Sequence, residues 1–123
     1  MKIAVIDRSK ESGRQLAEEM NRLLPNTGIQ TEVWNGHSIF ENDFTGADVI
    51  FLAVNRMYEV EVGNKLMRLC PDTPMVVVSD NADYSVEAFN LNARHYLTPP
   101  LTSDSILRAL ERCGAYIRSL DGI

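Results

Sequence analysis

The chain is predicted to fold as an α/β domain: a doubly wound, parallel five-stranded sheet with helices on both faces. Apolar runs of strand length alternate with helix-spaced apolar stripes from one end of the chain to the other. Two of those runs, DVIFLAV (Asp48 to Val54) and MVVVS (Met75 to Ser79), are long and β-branched enough for strands buried on both faces. The connections are short and the elements alternate, so right-handed crossovers leave a parallel sheet as the economical arrangement.

Taken in order, KIAVID (Lys2 to Asp7) is the first strand, a compact apolar run at the very start. Ser9 or Ser12 can cap the helix that follows, in which Leu16, Met20, Leu23 and Leu24 recur at helical spacing. Pro25 and a turn through Asn26 and Gly28 stop it. Ile29 to Trp34 alternates weakly as a second strand, and Gly36 to Thr45 holds a short helix with Ser38 as its cap. Asp48 to Val54 is the third strand. Val62, Leu66 and Leu69 are expected to form the inward stripe of a third helix, which Pro71 and Pro74 end. Met75 to Ser79 is the fourth strand, Tyr84 to Leu91 the fourth helix, and Arg94 to Leu97 the fifth strand. The last helix opens at Thr102 or Ser103, and Ile106, Leu110, Cys113, Ile117 and Leu120 make a continuous apolar seam along it.

A length of 123 residues at 45% apolar composition suits one domain, residues 1–123, burying roughly two-thirds of its unfolded surface. The 12 lysines and arginines against 17 acids leave a net charge of -5, which argues against contact with nucleic acid or an anionic membrane. Cys70 and Cys113 have no C-x-x-C spacing, no secretory leader precedes them, and no apolar run approaches a membrane span. They read as reduced packing residues of a cytoplasmic protein.

In an open parallel sheet the site lies at the carboxyl ends of the strands, where strand order reverses. Asp7 and Arg8 end the first strand, Ala53 the third, Ser79 the fourth, and Thr98-Pro99-Pro100 follows the fifth. These strand ends and the order of elements resemble the receiver domain of two-component response regulators, over essentially the whole chain. The stretch SDNADYSVEAFNLNARHYLTPP (Ser79 to Pro100) is especially similar to receivers of LytTR-type transcription regulators, which read close to T-A-Y-x-x-Y-A-x-E-A-F-x-x-N-A-x-D-Y-L-L-K-P. The resemblance implies a flavodoxin-like (βα)5 sheet. In receivers, an acidic pair on the first strand holds Mg²⁺ and an aspartate ending the third strand accepts a phosphoryl group from a histidine kinase. A lysine steadies the phosphoryl oxygens, while a Ser/Thr and an aromatic residue report the change.

Carried over by position, Asp7 matches the first acid, Ser79 the hydroxyl residue, Tyr96 the aromatic residue, and Pro100 the proline after the lysine. Three matches fail: Arg8 stands for the second acid, Ala53 for the phospho-acceptor and Pro99 for the lysine. The loop Asn55 to Val62 also lacks the family's Met-Pro-Gly-like turn. A methyl group has no nucleophilic oxygen, so no acyl phosphate forms at Ala53. Formal charge in the site falls from about -2 in a typical receiver to about zero for Asp7 with Arg8, and Mg²⁺, which needs hard oxygen ligands, is not expected to bind. For Arg8 two arrangements stay open: its planar fork fills the metal's place beside Asp7, or the two point to opposite faces of the strand and do not meet.

Plainer roles compete at each position. Asp7 suits a brace for its loop, Ser79 an ordinary strand-ending hydroxyl, and Tyr96 a half-buried rim aromatic whose hydroxyl reaches water. His37 and His95 are too isolated for a metal site, and Asp80, Asn81 and Asp83 lack the glycine and terminal glutamate of a calcium loop, so they read as a capping turn. By resemblance, the bond before Pro100 is cis.

The expectation is therefore a pseudo-receiver that is not an enzyme: a signalling module working without aspartyl phosphorylation. By resemblance it would self-associate or dock a protein partner through the fourth helix, fifth strand and last helix, Ser85 to Ile117. Either the chain is a lone domain or it is cut from a longer regulator; in the second case a LytTR-type DNA-binding domain absent from this chain would control transcription. Two rival readings are phosphorylation at another acid, Asp7 or Asp80, and binding of a small anion or nucleotide in the vacated pocket with Arg8 as its charge partner. Against the second, Arg8, Ser9 and Lys10 occur where a glycine-rich phosphate loop would lie.

Overall fold

Apolar side chains alternate between the two faces of each central strand, and that alternation builds the molecule in three layers. The computed structural model describes residues 1–25, 27–35 and 46–114. Its strands are β1 (Lys2–Asp7), β2 (Gln30–Asn35), β3 (Val49–Ala53), β4 (Met75–Val78) and β5 (His95–Leu97). All neighbours pair in parallel, in the order β2-β1-β3-β4-β5. This is the flavodoxin-like strand order, with its reversal between β1 and β3. The helices are α1 (Lys10–Leu23), α2 (Met57–Leu69), α3 (Ser85–Asn90) and α4 (Ser103–Arg112), with a 3-10 turn at Ala82–Tyr84 before α3.

One face of the sheet sends Ile3, Val5, Phe51 and Val76 into a core closed by Ala17 and Met20 of α1 and Ile106 and Leu110 of α4. The opposite face sends Ala4, Ile6, Ile50, Leu52 and Val77 against Leu66 of α2 and Ala88 of α3. Every residue of β3 and β4 is buried, which explains the unbroken apolar runs in sequence. The edge strand β2 is mostly half-buried, hence its weaker pattern.

Local chemistry fixes the helix starts. Ser9 caps α1 by accepting from the Ser12 N–H at 3.1 Å. Thr102 caps α4 and exchanges hydrogen bonds with Ser105 in both directions, each at 3.0 Å, a capping box. The Pro99-Pro100 bond is cis, as the family resemblance implies. The helix expected over residues 36–45 and the seam residues Ile117 and Leu120 lie outside the described residues, as do Asn26, His37 and Ser38.

The buried face of α2 differs from the expected one. Leu69 is 58% exposed, and the inward residues are Glu59, Val60, Gly63 and Leu66. Steps of four and three from Glu59 pass through Gly63 to Leu66, so the true stripe contains an acid and a glycine that an apolar count passes over. Gly63 is there for closeness. A Cβ at that position would lie 2.7 Å from Leu91 Cδ1 and 3.0 Å from Leu52 Cδ2.

Gly63→Ala is therefore expected to destabilise the fold despite alanine's better helix propensity. Overpacking against two buried leucines costs about 1–3 kcal/mol, against a gain of about 1 kcal/mol in the helix. A urea melt with a lower midpoint and unchanged slope is the expected result; a raised midpoint would contradict the close-approach account.

Candidate functional site

The carboxyl ends of β1, β3 and β4 and the loop after β5 meet around one open crevice of about 220 Å³ lined by Asp7, Ala53, Asn55, Ser79, Asp80 and Pro99. Four of the six residues singled out from sequence, Asp7, Ala53, Ser79 and Pro99, are thus brought together. Arg8 borders a second, smaller cavity of about 10 Å³ that shares Asp7 and Ala53 with the crevice and adds Tyr58 and Glu59. Tyr96 joins from β5 through a hydrogen bond.

Asp7 is buried, and its Oδ1 accepts the Ser9 N–H at 3.4 Å, so it does brace the loop that starts α1. Arg8 is exposed, and among the described residues no ion pair joins it to Asp7. Its charge acts on Asp7 from a distance. Ala53 is only 4% exposed and presents a methyl group where the sheet ends. A methyl group offers no oxygen to a phosphoryl group.

Ser79 is fully enclosed, and its hydroxyl is committed to its own loop. The Oγ accepts the Asn81 N–H at 3.1 Å, donates toward the Asn81 carbonyl at 3.2 Å, and lies 3.5 Å from Asn55 Oδ1. Tyr96, expected to reach water, instead donates its hydroxyl to the Asn81 carbonyl in a short hydrogen bond. Asp80, Asn81 and Asp83 form the turn expected of them, with the Asp83 N–H on Asn81 Oδ1 at 2.9 Å. Among the described residues no group of three or more His, Cys, Asp or Glu side chains converges as a metal site would.

Two residues that sequence reasoning passed over complete the site. Glu59, from the first turn of α2, is 2% exposed; its Oε1 accepts the Asn55 N–H at 3.1 Å and its Oε2 is buried without a partner. Asn55, in the loop after β3, also accepts the Asp80 N–H on its Oδ1 at 3.2 Å. The available signal was the exchange of positions: Glu59 lies two turns of spacing before Leu66, on the face that the helix must bury. Away from the site, burial pushes the Cys113 thiol up, which suits an inert packing residue.

No protein-family model matches the chain. The response regulator TrrA of Thermotoga maritima, solved in complex with Mg²⁺ and BeF, superposes with a TM-score of 0.72 at 16% identity, over 91% of this chain and 97% of that one. The response regulatory domain of mrkE from Klebsiella pneumoniae gives a TM-score of 0.69 at 18% identity, over 93% and 95%. The transcriptional regulatory protein LytR of Staphylococcus aureus is 33% identical over 70 residues, 55% of this chain. The fold is that of a response-regulator receiver domain. The match to LytR spans 28% of that protein's length. Asp7 and Ala53 are the last residues of β1 and β3, and Ser79 directly follows β4.

Burial raises the pKa of Asp7 against the lowering pull of the Ser9 and Arg8 N–H groups and the Arg8 charge. Burial also raises that of Glu59, the nearby Asp7 charge adds to it, and the Asn55 and Arg56 N–H groups and Arg8 oppose it. A carboxyl whose folded pKa exceeds its unfolded value holds its proton more tightly when folded. Its stabilising contribution is complete below the unfolded value, near pH 4, and is lost as pH rises through the folded value. Thermal melts across a pH series are expected to show these two groups lowering stability from acid toward neutral, and Glu59→Gln to flatten that fall. An unchanged slope in the variant would refute the assignment to Glu59.

Proposed function

We propose that this domain is a pseudo-receiver: a signalling and protein-interaction module that works without aspartyl phosphorylation and without Mg²⁺, and is not an enzyme. The observation that carries this reading is the enclosed methyl group of Ala53 at the tip of β3, bordering the same crevice as Asp7, Ser79 and Pro99. The chemistry of the donor set supports it. Of the positions matched to the family's metal and acceptor residues, only Asp7 brings a carboxyl, while Arg8 and Ala53 bring a guanidinium and a methyl, fewer hard oxygens than the three acids of a typical receiver offer Mg²⁺. Ser79 and Tyr96, matched to the family's switch positions, are both hydrogen-bonded to the Asn81 carbonyl.

Anion or nucleotide binding is the weaker reading, because the crevice is lined by the carboxylates of Asp7, Glu19 and Asp80 and by no lysine or arginine. A message passed by association needs a surface. Val86 and Phe89 on α3 are 65% and 82% exposed and lie three residues apart on one face. Self-association or partner docking through α3, β5 and α4 follows from the receiver resemblance and is supported by that pair. The LytR relatives are transcriptional regulators, so a role in transcription through an output domain outside this chain, in the cytoplasm, completes the proposal.

Incubation with acetyl phosphate and Mg²⁺ is expected to leave the intact mass unchanged, and a phosphoryl adduct at any acid would defeat the reading. Where solution mass rises with concentration, Phe89→Asp is expected to weaken association about tenfold or more, the loss typical of a central interface aromatic. Association indifferent to Phe89 would move the interface elsewhere.

A further inference from the structure

We propose that the Glu59 carboxyl is a built-in occupant of the pocket at the end of β3, and that through Asn55 it latches the β4–α3 loop in one arrangement. The proposal rests on the reading that position 53 accepts no phosphoryl group, and it adds what fills the vacated place. A glutamate at the third helical position commonly reaches back to cap the helix start, and such a residue stands at the surface. Glu59 does not. It is 2% exposed, one of its oxygens is buried without a partner, and it shares with Asp7, Arg8 and Ala53 a cavity in which about 10 Å³ is left, no more than a single water requires. The carboxyl itself is the group that occupies this space.

Asn55 carries the connection onward because it is engaged at both ends. Its N–H donates to Glu59 Oε1 at 3.1 Å, and its Oδ1 accepts the Asp80 N–H at 3.2 Å, with the Ser79 hydroxyl 3.5 Å away. Ser79 in turn holds Asn81 by the Asn81 N–H at 3.1 Å, and the Asn81 carbonyl takes the Tyr96 hydroxyl. A hydrogen-bonded path therefore runs from the first turn of α2, through the loop after β3, to the loop before α3 and on to β5. It ends beside the helix that exposes Val86 and Phe89. The Asn55 side chain is the link that ties the loop after β3 to the loop after β4 beyond the backbone pairing of the strands themselves.

Amide hydrogen exchange measured by NMR on the full 123-residue chain tests this. Glu59→Ala is expected to speed exchange of the Asn55 and Asp80 amides about tenfold or more relative to β1 and β3, and to shift the Tyr96 ring signals. Glu59→Gln, which keeps an acceptor oxygen for Asn55, is expected to stay within about twofold of wild type. Asn55→Ala removes only the second link, so Asp80 should speed up while the amide at position 55 stays protected. An Asp80 amide unaffected by Glu59→Ala overturns the proposal, as does acceleration spread evenly over the central strands, which would make Glu59 a packing residue. Should Glu59→Ala fail to fold, the Asp80 amide in Asn55→Ala decides, and no acceleration there overturns the latch. A phosphoryl adduct on the wild-type chain would defeat the reading of position 53 instead, so the two failures are separable.

Discussion

A carboxyl group withdrawn from water must be hydrogen-bonded, neutralised or paired, and this constraint governs the functional end of the domain. The absence of a side chain at Gly63 lets α2 approach Leu52 and Leu91 closely enough to draw its first turn under the end of the sheet. Glu59 is carried inward by that approach. Once there its Oε1 accepts the Asn55 N–H, its Oε2 is buried without a partner, and burial raises its pKa against the pull of the Asn55 and Arg56 N–H groups. Packing chosen in the middle of α2 thereby shapes the electrostatics of the rim, and a helix residue hydrogen-bonds the loop after β3.

Most of the fold was legible in the sequence because its central strands are buried on both faces. Asp48 to Val54 and Met75 to Ser79 allow no helical stripe, and Leu16, Met20 and Leu23 of α1 and Ile106 and Leu110 of α4 pack where their spacing places them. The α2 face was misread for a physical reason: two of its inward positions are a glycine and an acid, whereas Leu69, counted as core, points to solvent. The strand ends were legible at Asp7, Ala53, Ser79 and Pro99 because a parallel sheet must put its site there. Asn55 and Glu59 were not, since their roles depend on side chains meeting across a loop, and no periodicity encodes that. The Tyr96 hydroxyl bond to Asn81 belongs to the same kind.

Identities of 16% and 18% to solved receivers, with TM-scores of 0.72 and 0.69, separate what the fold requires from what phosphotransfer requires. The core asks only for apolar volume in alternation, a demand that many sequences meet. The family's site asks for particular oxygens and one cation at fixed places, and Arg8, Ala53 and Pro99 stand at three of the positions matched to them. The frame tolerates such changes because its core does not depend on them.

What such a frame can still do follows from where its freedom remains. The central strands are fully buried and offer no alternative packing, whereas α3 has six residues, buries Ala88 and turns Val86 and Phe89 outward. Its loop is held to the rest of the rim by Asn81, Ser79 and Tyr96, bonds between neutral groups that exchange readily with water. In a phosphorylated receiver a dianion would compete for those donors; here the acid that accepts the Asn55 N–H is Glu59, which belongs to the chain itself. A signal that reorganises α3 thus has two handles here: the apolar surface that the helix exposes, and the proton held at the buried Glu59.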